Sequence, residues 1–113
     1  MTTFDERERA LEDKFVHDQE VRFRVTARRD KLFAQWAVAR LGLADAAAAA
    51  AIAAVMAARD GLGHDDGVLQ EIADAFQRYG AAAQPAELAR ALHDCEQQAH
   101  GEVMTATTNT GSG

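Results

Sequence analysis

The placement of helix breakers limits this chain more than any other feature. Its 113 residues contain one proline, and the first glycine comes at position 42. Up to Leu41, nothing interrupts a helical hydrogen-bond ladder, and most residues are good helix formers. Gly42 and Gly80 read as C′ glycines, since glycine enters the left-handed region at no steric cost. Between them, Gly61 and Gly63 stop the stretch that begins at Ala46, and Pro85 suits the first turn of a last helix. Long gaps between short loops, a heavy load of Ala and few aromatics predict an all-α fold. The expected architecture is an antiparallel four-helix bundle with a long first helix. The length suffices for one domain with one core.

The opening stretch, Met1 to Asp18, has its own pattern. Thr3 and Glu6 make a capping box, and Asp5 and Glu6 sit at the positive end of the helix dipole. Phe4, Leu11 and Phe15 are spaced by seven and four, so they share one narrow stripe. The rest is charge, with i,i+4 pairs expected at Asp5–Arg9 and Arg9–Asp13. Burying three large side chains is worth about 1.5–3 kcal/mol each. Ordering backbone costs about 1–2 kcal/mol per residue before hydrogen bonds offset it. A short helix of this kind is marginal alone in water. The residues leave two readings: a mobile arm that firms up in a partner's groove, or the start of a long helix packed on its own bundle.

Charge is unevenly spread. The net charge is −6. Residues 1–20 carry −4, residues 21–40 carry +5, and the remainder carries −7. An acidic body argues against general nucleic-acid binding, while the basic stretch is a local site for an anion or an acidic partner. One cysteine, Cys95, rules out an internal disulfide and suits a reducing compartment. The opening residues lack a signal-peptide pattern, and the apolar run Ala46–Ala58 is too short and too Ala-rich to span a membrane. Direct membrane insertion is therefore not expected.

Further on, Asp18–Arg22 and Glu20–Arg24 are expected ion pairs. Val25, Leu32, Trp36 and Ala39 form a core stripe with Phe33 and Leu41 at its edge. Between Phe15 and Val25 that line passes through Asp18 and Arg22, which sets a boundary near Asp18. Asp45 is the expected cap of a helix from Ala46 to about Arg59, apolar all round and hence interior. Asp65 or Asp66 caps a third, to Arg78, with Leu69, Ile72, Ala73, Phe76 and Tyr79 facing inward. The last presents Leu88, Leu92, Cys95, Ala99 and Val103. The loop GLGHDDG lacks the ending of a phosphate loop and the oxygen spacing of a calcium loop. After Met104, the sequence TATTNTGSG has no periodicity and reads as a disordered tail.

Two stretches carry a resemblance. TTFDERERA-x-E-x-KF-x-HD at the start, and RRD-K-L-x-x-x-WA from Arg28 to Ala37, resemble the ATPase inhibitor subunit zeta family of bacterial F-type ATP synthases, of the alphaproteobacterial type. They cover roughly the first forty residues. The rest agrees more loosely and is richer in Ala. The resemblance implies a helical bundle whose N-terminal arm enters a catalytic interface of the ATPase head, formed by alpha and beta subunits beside the gamma rotor, and blocks ATP hydrolysis. It implies no catalysis by the chain itself, a monomer when free, and a cytoplasmic place peripheral to the inner membrane. Residues 1–18 become the inhibitory arm, 19–104 the bundle and 105–113 the tail. Phe4, Leu11 and Phe15 become apolar anchors, and Asp5, Glu6, Arg7, Glu8 and Arg9 the polar rim contacts.

The residues offer little else chemically. His93, Glu96 and His100 share a side of the last helix near Cys95, too few ligands to define a zinc site. Cys95 reads as a small core side chain, and His17 as a solvated histidine. Arg28, Arg29 and Lys31 beside Trp36 could hold a nucleotide phosphate and stack a base. The resemblance adds ATP or ADP binding to isolated members. Against this, Trp36 lies on the core stripe and the arginines face acidic helices. Two other roles fit the same residues: a nucleotide-sensing bundle, and an assembly or scaffold factor of the same complex.

Overall fold

The computed structural model describes residues 4–59 and 64–111, with side chains over 5–59 and 64–106. It contains α1 (Phe4–Leu41), α2 (Asp45–Ala58), α3 (His64–Arg78) and α4 (Pro85–Gly111), with no strand among the described residues. Each helix packs on its neighbours in sequence, α4 returns against α1, and α1 also meets α3. The result is an all-α bundle. Its longest dimension, 66 Å, follows α1, whose 38 residues extend about 57 Å at 1.5 Å per residue.

Chain breaks behave as their chemistry dictates. Gly42 takes φ 66°, and Leu43 N–H donates to Val38 while Gly42 N–H donates to Ala39. Gly80 repeats the device at φ 72°, with Ala81 N–H on Phe76 and Gly80 N–H on Gln77. Both are Schellman closures, which satisfy carbonyls that the helix leaves free. Pro85 opens α4, where its missing N–H costs nothing.

The core holds Phe33, Ala34, Ala37, Val55, Val68, Ile72, Phe76, Leu88, Leu92 and Cys95. The inner faces expected for the last two helices are largely met, except that Tyr79 is exposed and Val68 and Ala75 are buried. On α1 the expected stripe is rotated. Phe33 is fully buried at the centre, Leu32 and Trp36 are half-buried, and Ala39 is exposed. The reason is that Arg29 and Asp30 are buried on this same side. Two charges interrupt the apolar pattern where the core begins, so counting apolar residues finds the wrong azimuth.

α2 is not interior. Val55 alone is buried, Ile52 and Met56 are half-buried, and most of its alanines face solvent. Ala forms this helix through propensity and contributes little area to burial. Asp45 is not its cap either. Ala44 holds the N-cap position with no side-chain bond, and Asp45 itself has φ 52°, a left-handed conformation that Asp tolerates better than most residues. α3 starts at His64, ahead of both expected caps, so Asp65 and Asp66 lie in its first turn.

α1 is continuous across Asp18, without a break in the backbone, and α4 runs past Met104 to Gly111. Extending a formed helix needs no new nucleus. The Thr3 cap lies outside the described residues. None of the four i,i+4 pairs expected in α1 forms among the described residues. Such exposed pairs gain only about 0.3–0.5 kcal/mol, which competes poorly with side-chain entropy.

Candidate functional site

α1 has two halves with different surroundings. Every described side chain from Asp5 to Glu20 is exposed, Val21 is the first half-buried residue, and Val25 the first buried one. Leu11 is 70% and Phe15 64% exposed, and the same holds for Val16 and Phe23 further along. These residues are not scattered around the helix. Five turns of helix take eighteen residues. Leu11, Phe15, Val16 and Phe23 therefore share azimuths with Arg29, Phe33, Ala34 and Leu41. One side of α1 thus carries large apolar residues along its length, interleaved with Glu8, Glu12, Gln19 and Arg22 in the N-terminal half. Its C-terminal half is covered by the other helices, and its N-terminal half is bare.

Among the expected arm residues, Leu11 and Phe15 stand on this bare side. Asp5, Glu6, Arg7, Glu8 and Arg9 are all exposed around it. The Phe4 side chain lies outside the described residues, although its backbone begins α1. Val16 and Phe23 extend the same side and were missed by a stripe drawn only through steps of seven and four. The eighteen-residue match to Ala34 and Leu41 is the signal that finds them.

A charged node anchors the base of this arm. The fully buried Asp30 carboxylate accepts from Arg29 Nε at 3.0 Å, Arg59 Nε at 3.1 Å and His64 Nε2 at 2.8 Å. Arg29 also donates to Asp65 at 2.8 Å and lies 3.8 Å from Glu96. Burial alone would lower the Arg29 pKa, but its hydrogen bonds to Asp65 and Asp30 outweigh that and raise it. All four helices meet here, with Arg59 in the position that closes α2. Its guanidinium also covers the Phe23 ring at 5.2 Å.

The basic cluster is not assembled into one site. Arg28 turns to α4, donating to Glu102 at 2.9 and 3.3 Å. That bond raises the Arg28 pKa and lowers that of Glu102. Arg29 is sealed in the node. Lys31 is exposed, with no ion pair among the described residues. Trp36 packs on Phe33 and Phe76, with ring centroids 5.7 and 5.8 Å away, and carries Arg40 over its ring at 5.4 Å. Arg40 in turn pairs with Glu87 at 2.6 Å. The arginines are therefore taken up by acidic groups of the bundle, and Trp36 by the core.

Sequence similarity decides the family. A family model for the ATPase inhibitor subunit zeta matches residues 1–102. The chain belongs to that family. No curated protein and no solved structure matches it. The zeta match covers both halves of α1 and most of α4, so the bare arm and the node lie within the shared region.

Other chemistry finds little support in this zeta-family fold. Among the described residues, no group of three or more His, Cys, Asp or Glu is placed to hold a metal. His93 instead lies against Gln97 at 3.3 Å. Burial pushes the Cys95 thiol up, Asp94 adds to this and Arg29 opposes it, so the reactive thiolate is disfavoured. No described helix is long and apolar enough to cross a membrane.

Proposed function

We propose that the N-terminal half of α1 is the working part of an inhibitor of the F-type ATP synthase. It enters an interface between catalytic alpha and beta subunits beside the gamma rotor and blocks ATP hydrolysis. The observation that carries this reading is that Leu11, Phe15 and Val16 stand exposed on the side of α1 that meets the core further along the helix. Large apolar residues held exposed along one side of a helix fit helix-in-groove recognition. Phe4, Leu11 and Phe15 are the anchors. Asp5, Glu6, Arg7, Glu8 and Arg9 fix register and orientation at the rim, where charges give specificity more than affinity. The bundle is bulk that cannot follow the arm into the interface. The chain itself catalyses nothing and works as a monomer from the cytoplasmic side, bound to the synthase.

The exposure of the anchors makes the test clean. Leu11→Ala and Phe15→Ala remove no bundle contact, so thermal unfolding should be unchanged. Each should weaken inhibition of the ATPase head by about 10- to 100-fold, as buried anchors at an interface do. Unchanged inhibition in both variants would contradict the reading.

A further inference from the structure

The base of the arm carries positive charge that the bundle does not consume. Gln19, Arg22, Phe23 and Thr26 of α1 face Arg59 and His64 across a groove of about 300 Å³. Arg22 is exposed, and among the described residues no carboxylate pairs with it. Arg59 spends only its Nε on Asp30, and no described acceptor takes its terminal nitrogens. The carboxylate that Arg59 and His64 bond, the fully buried Asp30, is already shared with Arg29. The nearby Asp65 is committed to Arg29. The groove therefore presents two guanidinium groups, an imidazole, a hydroxyl and an amide around one ring face, with its local acid already engaged.

We infer that this groove receives a carboxylate side chain from the rim of the protein surface that takes the arm. The inference rests on the reading of the arm as the inhibitory segment and names the chemistry of the partner at the arm's base. Two observations direct it. Phe23 is exposed on the same side of α1 as Leu11 and Phe15, so a partner that covers the arm reaches the groove next. The charges are also complementary, since arginine forks pair with carboxylates in two-point geometry. The volume admits one such side chain and its loop, and is too small for a second helix.

The test compares two arginines of the full-length chain. Arg22 lines the groove, while Arg24, two residues on, lies on the opposite side of α1. The measurement is inhibition of the cognate ATPase head at low and at physiological ionic strength. Arg22→Ala should raise the half-inhibiting concentration by about 5- to 10-fold at low salt, with a smaller change at high salt, because a rim charge acts through screened attraction. Arg22→Lys should recover part of the loss, and Arg24→Ala should stay within about twofold of the parent, as its charge faces away. Equal effects of Arg22→Ala and Arg24→Ala overturn the groove while leaving the arm intact. A full-length chain that does not inhibit overturns both.

Discussion

Asp30 is the side chain on which the bundle depends most. It has no solvent exposure and accepts from Arg29, Arg59 and His64. Replacing it by Ala or Asn leaves cations near a buried site without their counter-charge, which costs about 3–5 kcal/mol. Denaturant unfolding of Asp30→Asn should show that loss, and an undiminished midpoint would mean that the node is solvated. Phe33, with no exposure, is the apolar counterpart, and Phe33→Ala should cost about 3–5 kcal/mol by the same measurement. The Arg28–Glu102 pair is different because both partners face solvent. The bond holds Glu102 below its ordinary carboxylate pKa in the folded chain. Its contribution is therefore present above the unfolded value and is lost as pH falls through the folded one. The stability difference between the parent and Glu102→Gln should accordingly be small at neutral pH, shrink with salt, and vanish on acidification. A difference that grows in acid would reverse the sign of this account.

At the scale of the element, α1 is one helix with two sources of stability. From Val25 onward it is held by packing. From Asp5 to Glu20 no side chain is buried, so this half rests on helix propensity and on its continuity with the packed half rather than on packing. Amide exchange should therefore be slow between 25 and 41 and should quicken toward the N-terminus, as local opening without tertiary contacts requires. Uniform protection along α1 would show that something covers the arm. The exposure of the arm is a matter of where other helices stop, which its own residues do not encode. That is why the sequence left two readings open. Glycine and proline made the helix ends legible, since Gly42, Gly80 and Pro85 have few other uses. The azimuth of α1 was not legible, because Arg29 and Asp30 enter the core as a satisfied network whose partners Arg59, His64 and Asp65 lie far along the chain. The same long-range pairing joins Arg28 to Glu102 and Arg29 to Asp65, partners that local sequence does not indicate.

The whole molecule combines a bundle and a bare helix on one continuous axis, 66 Å long. The chain belongs to the zeta family, and the use proposed for this shape is that the bundle stays outside while the exposed half of α1 enters a partner. The measurement that tests this most directly is ATP hydrolysis by the cognate soluble head, titrated with the full-length chain and with a version lacking residues 1–18. The truncation removes no residue of the core, so its circular dichroism should still report a folded bundle. The account predicts saturable inhibition by the full-length chain and none by the truncated one. Equal inhibition by both would place the activity in the bundle and contradict the account.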